Sequence, residues 1–270
     1  MPLYSATCPL PVNRIKNRLF DADARDYILR VEAADGQRLE SQVRGAINAF
    51  ILGCKADGIW TSLVASCIMA GARTVAGAIV PLRGNAPTNN NFVAGDYSRT
   101  LGLLGNDSNK YLNTGYNNND TTNFPQNDSH ISCFVSASQT DASGILVGGI
   151  SAVGNRFSLH YNTTTNIITR NRASTVSTVS LAPIGFQGNT RNNSANFSRR
   201  FTGVGGSQDG VITATSGTPA ADLLGVFAAG NGTQFSGARM SFYSIGKSLS
   251  LSSLDTRVTT LINAIASALA

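Results

Sequence analysis

Arg156-Phe157-Ser158-Leu159-His160-Tyr161 is the stretch that decides the fold. Its apolar residues fall on every second position, the period of a strand with one face in a core, which leaves Ser158 and His160 on a face read as solvated. Outward from it, short runs rich in Val, Ile, Phe, Tyr and Thr recur at 132–136, 145–150, 166–170, 175–181, 223–228 and 238–245. Gly and Asn clusters such as Gly105-Asn106-Asp107 and Gly230-Asn231-Gly232 separate them, as turn chemistry requires. Short strands with such punctuation predict an antiparallel β-sandwich over 87–250. Met240 and Phe242 are expected to repeat the alternation against Ser241 and Tyr243.

Before residue 87 the pattern changes to a helical one, so the chain reads as mainly β with a helical N-terminal segment over 21–86. Leu39, Val43, Ile47, Phe50, Ile51 and Cys54 recur at steps of three and four, one stripe of a helix. Ile59, Trp60, Leu63, Val64, Cys67 and Ile68 after Gly58 predict a second helix. Pro2, Pro9 and Pro11 predict an extended arm over 1–20. A C-terminal helix over 251–270 is expected, capped by Ser252 or Ser253, with the stripe Leu254, Val258, Leu261, Ile262 and Ile265. The two stripes offer more apolar face than a thin helical layer covers, which predicts assembly through Leu39, Val43, Ile47, Phe50, Ile51 and the C-terminal stripe, with a homotrimer as the favoured closure.

Charged residues are only 13% of the chain, so its solubility rests on Asn, Ser, Thr and Gly. The net charge of +6 is spread evenly, and only Arg191, Arg199 and Arg200 gather locally; this disfavours nucleic acid as a partner. No membrane partner is expected, because Arg73 interrupts the most apolar window, 64–82. The N-terminal residues carry no apolar core of a secretory signal, which predicts synthesis in a cytoplasm and disfavours a host-encoded adhesin. Cys8, Cys54, Cys67 and Cys133 form no CxxC pair and read as reduced thiols.

Several segments carry a family resemblance: Ala33-Ala34-Asp35-Gly36-Gln37, Gly53-Cys54-Lys55-Ala56-Asp57-Gly58-Ile59-Trp60, Ala70-Gly71-Ala72-Arg73-Thr74, Pro81-Leu82, Ala86-Pro87-Thr88-Asn89 and Gly95-Asp96-Tyr97. Together they resemble virion proteins of tailed bacteriophages, notably of cyanobacterial and other aquatic hosts. Ala238-Arg239-Met240-Ser241-Phe242-Tyr243-Ser244-Ile245-Gly246 and the helix after it resemble the ending of a concanavalin A-like (laminin-G-like) jelly roll. The resemblance implies a structural protein of the virion, in a tail fibre, baseplate or head decoration, with other virion proteins as partners and no catalytic residues.

A jelly roll can also host a glycoside hydrolase, the alternative reading, which needs two carboxyl groups about 5 to 10 Å apart. Glu32 and Glu40 are the only Glu residues, and the Asp residues of 87–250, Asp128 and Asp222 among them, sit mostly in turn contexts, so no enzyme is expected. His130 and His160 read as surface histidines, far from any nucleophile elbow. No cofactor is signalled. Calcium has oxygen ligands on offer at 117–120 and 127–128, without an EF-hand spacing. Sugar binding asks only for an aromatic platform with nearby amides or hydroxyls; Tyr111, Tyr116 and Phe124 are the candidates, with Phe186 and Phe197 behind them, and a host-surface glycan is the partner they imply.

Overall fold

The computed structural model describes residues 20–137, 143–150, 155–163, 166–180, 184–203 and 206–270; the expected arm lies outside them apart from Phe20. Helix α1 (Ala22–Asp35) starts where Asp21 accepts a hydrogen bond from the Asp23 N–H at 2.9 Å, and ends at Gly36, whose φ of 65° makes a left-handed cap. Helix α2 (Ser41–Ala56) follows, with the expected stripe buried. The second expected helix is absent. One 3-10 turn (Trp60–Ser62) leads into strand β1 (Leu63–Ile68), then a short helix α3 (Val75–Ala78) and strand β2 (Pro81–Arg83). The residues expected as a helical segment over 21–86 therefore give two strands to a sheet, and the boundary drawn at 87 cuts through it.

The strands that follow are β3 (Thr88–Asn90), β4 (Tyr97–Ser98), β5 (Gly102–Leu104), β6 (Tyr111–Asn117), β7 (Ser129–Ala137), β8 (Gly144–Gly149), β9 (Arg156–Thr163) and β10 (Asn166–Ala173). After them come β11 (Ser177–Ser180), β12 (Gly185–Arg191), β13 (Asn196–Gly203), β14 (Gly206–Thr213), β15 (Leu223–Val226), β16 (Arg239–Gly246) and the closing helix α4 (Leu251–Leu269). Ser250, rather than Ser252 or Ser253, caps α4, its side chain accepting from the Ser253 N–H at 3.2 Å.

Among the described residues the strands make two antiparallel sheets. The first runs β14-β13-β12-β7-β16-β1-β2, with β5 on β16 and β4 on β5; the second runs β11-β10-β9-β8-β15-β6-β3. The mainly β sandwich with an N-terminal helical segment and a C-terminal helix is thus present. Between the sheets lies a core that includes Cys67, Cys133, Val135, Phe157, Leu159, Tyr161, Val226, Tyr243 and Ile245. Phe157, Leu159 and Tyr161 face it as the alternation predicts. Their strand's other face is covered too: Ser158 is fully buried and His160 only 8% exposed, because the side chains of Arg156 and Arg170 share that face. His130 is also buried, so neither histidine is a surface residue.

The outer face of the first sheet carries a second core. Helices α1, α2 and α4 bury Val31, Val43, Ile47, Phe50, Leu254, Val258, Leu261 and Ile265 against Phe186 and Phe242, with the Phe50 and Phe242 rings edge to face at 5.9 Å. A bulge between Met240 and Phe242 sends these two side chains to opposite cores, where simple alternation had put them on one face. Gly188 lets α4 approach, since a Cβ there would stand 3.0 Å from the Leu251 side chain. All ten residues expected to mediate assembly are core residues of this one chain: Leu39, Val43, Ile47, Phe50, Ile51, Leu254, Val258, Leu261, Ile262 and Ile265 are each at most 6% exposed. Each contributes roughly 1.5–3 kcal/mol by burial, so these stripes are covered within the chain rather than left open for a contact between copies. Cys54, Cys67 and Cys133 are free, buried thiols; burial pushes Cys54 and Cys67 up to about 12. No helix of the described residues is long and apolar enough to cross a membrane.

Candidate functional site

A polar groove of about 570 Å³ lies where the start of α1 meets the ends of β1, β2 and β6. Helix α1 supplies Asp23, Asp26 and Arg30, three and four residues apart and therefore on one helical face. The 3-10 turn supplies Trp60 and Thr61, the β2 end Leu82, Arg83 and Gly84, β6 Tyr116, the following loop Thr122 and Asn123, and the chain after β16 Lys247. Gly84 has φ +81°, and a Cβ there would meet the Val64 carbonyl oxygen at 2.2 Å and the Tyr116 hydroxyl at 2.9 Å. Only glycine leaves that corner open.

The groove's charges are held in place by neighbours. Lys55 reaches the Asp23 carboxylate at 2.6 Å and the Asp21 carboxylate at 2.7 Å, and these hydrogen bonds hold the Lys55 amino group above its ordinary range. The Trp60 indole N–H donates to Asp23 at 3.1 Å. The indole ring has two cations near it, with the Arg83 guanidinium 5.1 Å and the Lys55 ammonium 5.9 Å from its centroid. Arg30 donates to Asp26 at 2.9 Å and to the Pro81 carbonyl at 2.7 Å.

The loop bearing Thr122 and Asn123 is pinned from below. Asp120 accepts from the Thr122 and Asn123 backbone N–H groups, both at 3.0 Å, and from Asn123 Nδ2 at 2.6 Å. Burial alone would raise this carboxyl, but those bonds outweigh it and bring it below the ordinary carboxylate value. Arg172, fully buried on β10, donates to the carbonyls of Asn118 at 2.5 Å and Phe124 at 2.9 Å, at the two ends of that loop. Its guanidinium lies 4.3 Å from the Phe157 ring centroid, so the groove's loop is tied into the inter-sheet core. Asn123 Oδ1 receives no hydrogen bond among the described residues and is left as an acceptor.

Of the three aromatic residues expected to bind sugar, only Tyr116 lines this groove. Its hydroxyl accepts from the Asn85 N–H at 3.4 Å, and its ring meets Phe124 edge on at 5.4 Å. Phe124 is fully buried and is a core residue, because it backs Tyr116 and fixes the loop. Tyr111 packs on Phe235 at 5.9 Å, beside Gly232, and does not line the groove. Phe186 and Phe197 are likewise core residues.

In the loops that offered calcium ligands both carboxylates are engaged locally, Asp120 on its own turn and Asp128 on the Ser248 N–H at 2.7 Å and the Ser248 hydroxyl at 2.5 Å, while the buried Asn118 Oδ1 has no hydrogen-bond partner among the described residues. No group of three or more His, Cys, Asp or Glu side chains that could hold a metal ion occurs among the described residues. Asp222 accepts from Asn118 Nδ2 at 3.0 Å, and burial raises its carboxyl against the opposing effects of that bond and of Arg172. Neither Asp128 nor Asp222 lines the groove. Asp23, Asp26, Trp60, Arg83, Asn123 and Lys247 escaped the sequence reading because they come from separate elements. The single Trp and the Asp pair three residues apart were the signals within reach.

No family model matches the chain, and no curated protein matches it. Solved structures similar to it include the botulinum neurotoxin serotype D binding domain, at 14% identity and TM-score 0.47, covering 74% of this chain and 51% of that one. A Trypanosoma rangeli sialidase in complex with sialic acid aligns at 11% identity and TM-score 0.44, over 75% of this chain and 33% of the other. A GH54 arabinofuranosidase aligns at 10% identity and TM-score 0.40, over 58% and 41%. The chain thus spans about half the length of the neurotoxin binding domain and less of the two enzymes.

Proposed function

We propose that this chain is a non-enzymatic β-sandwich module of a bacteriophage virion, in a tail fibre or baseplate, that holds a host-surface glycan in the groove between α1 and the sheet edge. The observation that carries the glycan reading is the groove's wall: Tyr116 and the edge of Trp60 stand beside an amide oxygen, hydroxyls and charged groups at fixed positions. Saccharides need that pairing of a flat apolar patch with convergent hydrogen-bonding groups. Binding is favoured over hydrolysis because both carboxylates of the groove are already engaged, Asp23 by Lys55 and Trp60 and Asp26 by Arg30, and neither is placed as a free acid. The resemblance across 33–265 supports virion membership.

Binding is tested by presenting the purified protein to immobilised oligosaccharides together with Tyr116→Ala and Asn123→Ala variants. Each variant is expected to weaken retention about tenfold, which corresponds to roughly 1.4 kcal/mol; because Tyr116 packs on Phe124 and Asn123 bonds Asp120, a modest fall in the unfolding midpoint is expected too, and retention is compared well below it. Retention unchanged in both variants would remove the groove from the proposal, and reducing ends released from a bound oligosaccharide would replace binding by hydrolysis. Mass spectrometry of purified particles that lack this polypeptide would remove the virion.

A further inference from the structure

Resting on the reading of the groove as a saccharide site, we infer that its ligand is an anionic saccharide, a uronic-acid or sulfated chain, recognised by Arg83 and Lys247. The charges around the groove fall into two sets. Asp26 is paired with Arg30 at 2.9 Å, and Asp23 shares Lys55 with Asp21, at 2.6 and 2.7 Å. With Asp21 and Lys55 counted, four cations stand against three carboxylates, and the two cations without a carboxylate partner among the described residues are Arg83 and Lys247. Arg83 donates from Nε to the Leu63 carbonyl at 3.2 Å and has no carboxylate partner among the described residues. Lys247 is exposed and has none either.

The two cations are differently prepared. Arg83 is anchored beside Trp60, with its centre 5.1 Å from the ring centroid and its Nε on the Leu63 carbonyl, so its position is set before a ligand arrives. Its Nη groups make no hydrogen bond among the described residues, and a guanidinium fork matches the two oxygens of a carboxylate or sulfate. Lys247, on the chain after β16, adds an exposed point charge on the same groove. A neutral sugar would accept hydrogen bonds from both groups but leave their charge uncompensated, and a cationic one would be repelled by them.

Trp60 is the chain's single tryptophan, so a ligand on Arg83 has a direct optical report. Titration of the full chain with trigalacturonate, a sulfated disaccharide and maltotriose is expected to change Trp60 fluorescence for the anionic sugars at least tenfold more tightly than for maltotriose. That preference is expected to weaken as salt rises from 50 to 500 mM. Lys247→Gln, which alters an exposed side chain, should weaken anionic binding several-fold at low salt, and Arg83→Lys should retain part of what Arg83→Gln loses. Maltotriose bound as tightly as the anionic sugars would overturn the inference and leave the saccharide site standing. Anionic binding untouched by both Lys247→Gln and Arg83→Gln would overturn it as well, and no response to any of the three sugars would overturn the saccharide reading together with it.

Discussion

Individual side chains show where alternation stops being informative. The pattern around Phe157, Leu159 and Tyr161 was legible because their face is apolar, whereas the opposite face, which Arg156 and Arg170 share with Ser158 and His160, is buried despite its polar residues, which no period records. The two histidines then become stability elements. His130 Nδ1 faces the Lys247 carbonyl at 2.6 Å, so that nitrogen carries the proton and Nε2 accepts from the Ser244 hydroxyl at 2.9 Å. Burial is the largest cause holding both rings neutral and pushes His130 and His160 from 6.5 down to about 4; at His160 the charges of Arg170 and Arg156 add to it. A histidine depressed in the folded state leaves stability intact above pH 6.5 and removes it as pH falls toward 4, because only the unfolded chain takes the proton. Each could remove roughly 3 kcal/mol across that window. Asp222, raised by burial, acts with the opposite sign and recovers a part as pH falls. Urea unfolding followed from pH 7.5 to 4.5 should show a midpoint that falls steadily below 6.5, and a His130→Asn/His160→Gln variant, though less stable at pH 7.5, should show a shallower decline. Equal declines in the two proteins would assign the pH dependence to the carboxylates.

Elements were legible where one face is wet and the other dry. Helix α2 and helix α4 each carry a stripe against solvent-facing residues and were placed within a few residues of their ends, and all seven expected strands overlap observed ones. Strand β1 was read as helix because it lies between β16 and β2 with cores on both sides, Ile68 facing the helices and Cys67 facing the other sheet. A strand buried on both faces has no alternation to show, and steps of three and four appear in it by chance. Its seat against β16 is unusually close. Gly246 opposes Leu63, and a Cβ on Gly246 would stand 1.8 Å from the Ser62 carbonyl oxygen and 2.9 Å from the Val64 nitrogen. Backbone cannot yield as a flexible side chain does, so Gly246→Ala is expected to part β1 from β16 at a cost of several kcal/mol. Thermal unfolding measures it: the variant should melt far below the parent or fail to accumulate in soluble form, and a shift of less than about 4 °C would mean that β1 is not held there. By contrast Gly45→Ala, where a Cβ meets nothing within 4 Å, should leave the melting temperature unchanged or raise it.

At the scale of the molecule the arrangement is three layers, helices on sheet on sheet, with the middle strands of the first sheet, β12, β7, β16 and β1, mostly buried and its edge strand β14 exposed. The composition change near residue 87 was visible and its meaning was not: it separates a more heavily charged segment from a sparsely charged one, while the packing runs across it. Phe186 on β12 and Phe242 on β16 belong to the core built by α1, α2 and α4, and β1 supplies the neighbour of β16. The groove follows from the same joint, since its Asp pair comes from α1, its Tyr from β6 and its Lys from beyond β16. No single segment holds the site, which is why sequence reading recovered one of its residues. A fragment of residues 87–250 therefore lacks β1, β2 and every long helix, and it exposes Phe186 and Phe242 together with the β16 edge. Such an edge beside an apolar face is prone to pair with other chains. Expressed alone, 87–250 should be recovered as aggregate or as a partly folded species with dispersed tertiary signals, whereas 20–270 should unfold in one cooperative step seen alike by Trp60 fluorescence and far-ultraviolet circular dichroism. A soluble, cooperatively unfolding 87–250 fragment would show that the sandwich stands without the helical layer, and would return the groove to the status of a boundary between two independent domains.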